Sequence, residues 1–136
     1  MPNPRYIKDG KLTEELEFKL KLAHYVYISE LEPFCKGYGY DHELENLRNV
    51  KGVYLIGSHA QESGWDDEKS DIDIRLLIPN MLPEAFDQYK RKILDAKLHI
   101  GKKPDWIDLF ASQRDDQILQ PMYNLTNLWK EFNQEF

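Results

Sequence analysis

Cysteine is nearly missing from this chain: Cys35 is the single one in 136 residues. One thiol excludes an intramolecular disulfide framework and any cysteine-based zinc cluster, and it fits a reducing compartment, so a cytoplasmic location is expected. Long apolar runs are missing too. No window approaches the roughly 18 consecutive apolar residues of a membrane span. The opening MPNPRYIKDG carries charge with no apolar run behind it, so no secretory leader is expected. Positive charge is in deficit, with 18 Lys and Arg against 24 Asp and Glu and a net charge of −6. That balance argues against wholesale binding to nucleic-acid phosphates. Repeats, low-complexity tracts and Gly/Ser linkers are also lacking, so positions 1–136 read as one domain. A chain of this length buries roughly two-thirds of its unfolded surface. Aromatic residues, at 12% and spread along the chain, exclude disorder.

What is present has helical and strand periodicity in alternation. Thr13 is placed to cap a helix over about 13–32, with Glu14 and Glu15 in its first turn. Leu16, Leu20, Ala23 and Tyr27 recur at helical spacing; Leu16, Phe18, Leu20 and Leu22 also alternate at strand period, but the run is too long for a strand. Pro33 and the Gly37–Gly39 pair are expected to end it. Asp41 opens a short second helix through Asn49. The run 53–56 and the run 72–78 read as strands, and Pro83 opens a helix whose inner face is Phe86, Tyr89 and Ile93. A third strand is expected over 106–111. A last helix is expected over about 121–135, carrying Met122, Leu125, Trp129, Phe132 and Phe136. This order gives an α/β (α+β) domain with a short mixed sheet flanked by helices, its core at about 52–111.

The informative segment is VYLIGSHAQESGWDDEKSDIDIRLLI, from Val53 to Ile78. On a strand, Asp71 and Asp73 share one face while Ile72 and Ile74 share the other. Two carboxylates so placed suit a hard, oxygen-seeking cation such as Mg²⁺, which removes the repulsion that would otherwise raise one pKa. Gly57 lets the backbone approach a ligand closely, and Ser58 offers a hydroxyl and N–H groups to a phosphate. Phosphate donors beside metal-binding carboxylates describe a nucleoside triphosphate site. Two-metal phosphoryl transfer needs cations about 3.5–4 Å apart, which calls for a third carboxylate. Asp108 lies inside the apolar run Trp106-Ile107-Asp108-Leu109-Phe110, an unfavourable place for an acid without a partner. On a strand beside the first pair it would ligate a metal and accept the proton of an acceptor hydroxyl. Asp105 is its rival, in surroundings better suited to a solvated role.

Gly57-Ser58, then Ser70-Asp71-Ile72-Asp73-Ile74, then Asp108 between apolar neighbours resemble the DNA polymerase β-type nucleotidyltransferase fold. The likeness is nearest to its minimal members, the MNT proteins, and spans about 52–111. The resemblance implies that Gly57, Ser58 and Ser70 bind the nucleotide and that Asp71, Asp73 and Asp108 are the catalytic, metal-binding carboxylates, with two Mg²⁺ ions. It implies transfer of a nucleoside monophosphate from an NTP, ATP being the expected donor, to an acceptor hydroxyl. It also implies a helical HEPN-type protein partner, with this chain as the antitoxin of the pair, or a homo-oligomer. Transfer to a small hydroxylated molecule, as in the related aminoglycoside-modifying enzymes, is the sister reading. The chain departs from the pattern at His59-Ala60-Gln61-Glu62, where relatives often carry arginine and glycine, and at the acidic Asp66-Asp67-Glu68. These departures favour the rival reading, a nucleotide-binding or protein-interaction module without turnover.

Other residues have plainer readings. His59 is expected to be a partly exposed loop residue, and His24 and Cys35 to be packing residues. Six of the 18 basic residues fall between Lys90 and Lys103. With no aromatic residues among them to stack bases, they read as a solvated helix face and loop rather than a phosphate-binding patch. The C-terminal apolar stripe is expected to pack on the sheet, with a partner interface as the alternative.

Overall fold

The computed structural model describes residues 7–57, 71–117 and 122–134. The chain opens with a hairpin, β1 (Ile7–Lys8) and β2 (Lys11–Leu12). It turns on Asp9 and Gly10, both at positive φ (53° and 75°), the signature of a two-residue primed turn. This hairpin is not among the elements expected above, although Asp-Gly is the strongest short hairpin signal. Next comes α1 (Glu14–Tyr38), capped by Thr13, whose side chain accepts from the N–H of Leu16.

Pro33 does not end α1. The helix runs on to Tyr38 and stops at Gly39, which takes the left-handed conformation and donates its N–H to the carbonyl of Cys35. Pro33 and Ser29 both lie on the exposed side, where water can take the carbonyl that proline leaves unpaired. Leu31, Phe34 and Cys35 are buried on the other side, and that burial holds the last turns in place.

A 3₁₀ turn (Asp41–Glu43) leads into α2 (Leu44–Arg48), then β3 (Gly52–Ile56) and β4 (Ile72–Leu77). Helix α3 (Pro83–Tyr89) passes through a π turn (Lys90–Leu94) into α4 (Asp95–Leu98), and β5 (Ile107–Ser112) follows. The C-terminal segment departs from expectation. Met122–Asn124 form a strand, β6, and the last helix, α5, covers Thr126–Asn133. Residues 122–124 pair antiparallel with the edge of β3, and Leu125 donates its N–H to the carbonyl of Val53 (2.7 Å). Thr126 Oγ1 accepts from the N–H of Val53 (3.0 Å), so these backbone groups pair with β3 instead of closing a helical turn.

The sheet order is β5-β4-β3-β6. β3 is antiparallel to both β4 and β6, while β4 and β5 are parallel, so the sheet is mixed. Val53, Leu55, Ile72, Ile74, Ile107 and Leu109 form its buried face, in one core with Leu16, Leu20, Tyr27, Leu31, Tyr89 and Trp129 from the helices. The other face carries Asp73, Arg75, Asp108 and Phe110, all partly exposed. His24 is buried against the rings of Trp129 (4.7 Å between centroids) and Phe132 (5.7 Å), with Nε2 at 2.7 Å from Asn133 Oδ1. It is a packing residue, as expected, and Cys35 is likewise buried. Among the described residues no helix is long and apolar enough to cross a membrane.

Tyr27, fully buried, donates its hydroxyl to the carbonyl of Leu47 at 2.6 Å and ties α1 to α2. Tyr27→Phe leaves that buried carbonyl unpaired and is expected to cost about 1–3 kcal/mol in urea unfolding. A loss below about 0.5 kcal/mol would mean that the carbonyl finds another partner.

Candidate active site

Strand geometry builds the site. Asp73 on β4 has Asp108 as its register partner on β5, and Ile56 on β3 is its partner on the other side. Asp71 stands at the mouth of β4, two residues back on the same face. The carbonyl of Trp106 accepts from the N–H of Ile72 (2.9 Å), which continues the β4–β5 pairing to that point. One carboxylate oxygen from each of Asp71, Asp73 and Asp108 lies within 4.8 Å of the others. The three acids expected to act together are therefore together. The rival Asp105 is elsewhere, its carboxylate 3.8 Å from the ammonium of Lys19.

Gly57 closes the site on the β3 side. Its φ is +75°, and a Cβ there would stand 3.2 Å from Asp73 Oδ2. Two independent reasons, backbone conformation and space, therefore call for glycine. Ser58, Ser70, His59 and Asp66-Asp67-Glu68 lie outside the described residues.

Three groups in the site were not foreseen as part of it. His99 places Nε2 in a close hydrogen bond to Asp108 Oδ1, and its ring stacks flat on Trp106 (4.7 Å, 6°). Asp95 lies 3.5 Å from the same His99 nitrogen. Lys90, expected on a solvated basic face, instead turns its ammonium inward. It lies 3.0 Å from Asp95 Oδ1, 3.6 Å from Asp108 Oδ1 and 4.7 Å from the centre of the Phe110 ring. Its neighbours in that run behave as ordinary surface charges, Arg91 pairing with Asp87 and Lys97 with Glu30. Sequence alone offered one clue, Lys90 and Asp95 spaced five apart, which brings side chains together only across a π turn.

Crowding of negative charge sets the acidities. Burial, then a hydrogen bond to Asp108 and the charge of Asp73, push Asp71 up to about 7. Burial and the charge of Asp108 also raise Asp73. Burial pushes Asp108 upward as well, but its hydrogen bond with Asp71, the ammonium of Lys90 and the hydrogen bond with His99 outweigh that and hold it below the ordinary carboxylate range. The site is thus short of positive charge on the Asp71–Asp73 side. Hard oxygen donors at this spacing fit a divalent cation such as Mg²⁺, which would supply that charge. Beside the acids a groove of about 340 Å³ is lined by Arg75, Met81, Phe86, Lys90 and Phe110, among others. Arg75 is held over the Phe110 ring (5.2 Å) and donates Nη1–H to Ser112 Oγ (3.2 Å).

Comparison with known proteins finds no match: no family model, no curated protein and no solved structure. The site therefore stands on its own geometry.

Two outcomes follow from that geometry. The pKa of Asp71 is higher folded than unfolded, so between 3.8 and about 7 the folded chain binds more protons. Metal-free stability therefore falls as pH rises through that window and stays reduced above it. Asp71→Asn removes this effect and is expected to be more stable than wild type at about pH 8, the gap closing below about pH 4, in melting experiments with chelator. A pH-independent gap would show that Asp71 is unshifted. Gly57→Ala is expected to lose about 1–2 kcal/mol from backbone strain alone. By crowding Asp73 it should also weaken Mn²⁺ binding measured by calorimetry; unchanged Mn²⁺ affinity would show that Asp73 relaxes freely.

Proposed function

We propose that this protein is a Mg²⁺-dependent nucleotidyltransferase of the polymerase β-like type. In this reading it moves a nucleoside monophosphate from an NTP, ATP in the first instance, to an acceptor hydroxyl. The observation that carries it is the parallel β4–β5 register, which sets Asp108 beside Asp73 and closes the three-carboxylate cluster next to Gly57. Asp71, Asp73 and Asp108 would hold the cation; bound there, Mg²⁺ would neutralise the acids and the triphosphate oxygens facing them. Gly57, with Ser58 and Ser70, would take the phosphates.

In this reading Asp108 receives the acceptor's proton, the role that the sequence resemblance implies for it. Its Oδ1 is engaged by His99 and Lys90. As the hydroxyl oxygen bonds to the α-phosphorus, the bond from that phosphorus to the bridging oxygen breaks. Pyrophosphate leaves, and the hydroxyl proton passes to Asp108. The groove walled by Arg75, Lys90 and Phe110 gives the acceptor a place on the Asp108 side of the cluster, away from Gly57.

A second reading, an interaction module without turnover, is favoured by one observation. Phe18, Leu22 and Tyr25 form an apolar stripe on α1 that is 71%, 41% and 54% exposed. The same stripe would serve an enzyme whose acceptor or HEPN-type partner is a protein, or a homo-oligomer.

Calorimetry of ATP with Mg²⁺ tests the site first. Wild type is expected to bind only with the metal, and Asp71→Ala/Asp73→Ala to lose binding. Transfer of α-phosphate label tests the chemistry. Asp108→Asn is expected to slow it by about 10²–10⁴-fold while ATP binding persists, the range for removal of a general base. Full-rate transfer by that variant would remove Asp108 from the mechanism. Absence of both ATP binding and transfer in wild type would leave the interaction module.

A further inference from the structure

The groove beside the acids carries one charge that the protein leaves unanswered. Of the charged side chains that line it, Lys90 is met by Asp95 (3.0 Å) and Asp87 by Arg91 (2.9 Å). Arg75 is different. Among the described residues no carboxylate stands in ion-pair contact with it, and Asp73, two residues back on the same strand face, reaches it through its field. A cation held by Asp71, Asp73 and Asp108 would take up that field and leave the guanidinium charge without a counterpart.

The donors of Arg75 are divided in a way that points to a ligand. Nη1 donates to Ser112 Oγ (3.2 Å) and to the carbonyl of Ala111 (3.4 Å). Phe110, its register partner on β5, supports the flat face of the guanidinium at 5.2 Å. Nε is buried with no hydrogen-bond partner, and Nη2 has none among the described residues. Nε and Nη2 form one edge of the planar fork, the edge that takes two oxygens of a carboxylate or phosphate in parallel bonds. A buried N–H left unpaired is unfavourable unless something outside the chain completes it.

We propose that Arg75 anchors the anionic group, carboxylate or phosphate, of a small hydroxylated acceptor whose apolar body lies in this groove against Met81, Phe86 and Phe110. The acceptor role rests on the proposed nucleotidyl transfer; the anion site does not. At about 340 Å³ the groove is at the small end of ligand pockets. Asp108 lies two residues before Phe110 on the same strand face, about 7 Å along β5. An acceptor anchored at Arg75 therefore presents its hydroxyl about one ring's length from its anion. The transfer itself is unchanged: the acceptor oxygen bonds to the α-phosphorus, pyrophosphate leaves and the proton goes to Asp108. A fixed guanidinium here disfavours a polycationic acceptor, so an aminoglycoside-like molecule fits this groove poorly.

The probes are para-hydroxyphenylacetate, its neutral amide, tyramine and para-hydroxybenzylphosphonate. Each is titrated into the whole chain with chelator and without nucleotide, and followed by ligand-observed NMR. Wild type is expected to bind an anion in the millimolar range, the amide about 10–100-fold more weakly, and tyramine most weakly of all. The tighter of the two anions distinguishes carboxylate from phosphate. Arg75→Met, or Arg75→Gln should the methionine variant misfold by circular dichroism, is expected to bind acid and amide alike. Arg75→Lys keeps a charge without the fork and is expected to fall between them. Equal affinity of wild type for acid and amide would overturn the proposal, as would no binding of any probe, or a preference that survives loss of Arg75. Selective anion binding by a chain that binds no ATP with Mg²⁺ would remove the proposed function and the acceptor role while leaving the anion site. ATP binding without anion selectivity would leave the proposed function and overturn this inference.

Discussion

Repulsion among carboxylates on one face of a small sheet is the constraint around which the rest of this molecule is arranged. Asp71, Asp73 and Asp108 are within 4.8 Å of one another through one oxygen each, and Asp95 stands close behind Asp108. Left alone, such a cluster lowers its charge by taking up protons, and Asp71 and Asp73 show that tendency. Asp108 goes the other way because Lys90 and His99 are aimed at it. The result is polarised. One end of the cluster has its counter-charge built into the fold, and the other end is where the acidities are raised. Such a division separates a carboxylate held toward its ionised form from a pair pushed toward protonation.

The fold tolerates this concentration of charge because its two sheet faces do different work. Alternation along β4 and β5 sends Ile72, Ile74, Ile107 and Leu109 into the core, and their neighbours Asp73 and Asp108 to the open face. The buried side, closed by α1, α3 and α5, supplies the apolar burial that offsets an electrostatically strained open face. Rigid positioning follows from the same pairing. Shifting β5 by one residue along β4 would send Asp108 into the core and Leu109 to the site. The long helix α1 serves as the core's spine: Tyr27 bonds to α2, and its carbonyl accepts from the buried hydroxyl of Tyr89. A break at Pro33 would have removed Phe34 and Cys35 from that core.

Much of this was readable without coordinates. The Asp71–Asp73 pair, its shared face, the three sheet strands over 52–112 and the apolar stripe of the last helix all depend on spacings of two to four residues. At that range backbone geometry alone decides which side chains share a face. Asp108 was legible for a different reason, an acid inside an apolar strand being anomalous anywhere. Errors clustered where local preference yielded to distant contacts. Pro33 signals a helix end, yet the turns beyond it are held by burial. Met122 and Leu125 fit a helical stripe, but an open edge on β3 drew residues 122–124 into the sheet. The hairpin at Asp9-Gly10 was local and could have been seen.

By itself, then, the sequence determined the class of the domain, the polarity of each sheet face and the three acids that would be gathered there, because these follow from period and composition. Tertiary structure alone decided what surrounds those acids. The parallel register that sets Asp108 opposite Asp73 joins strands 35 positions apart in the chain. The approach of His99 to Asp108 requires the α4–β5 connection to fold back on itself. Lys90, one of several basic residues in a charged run, became the cation of the site through one π turn. Such contacts are set by packing between elements, whose distances and angles no linear spacing records.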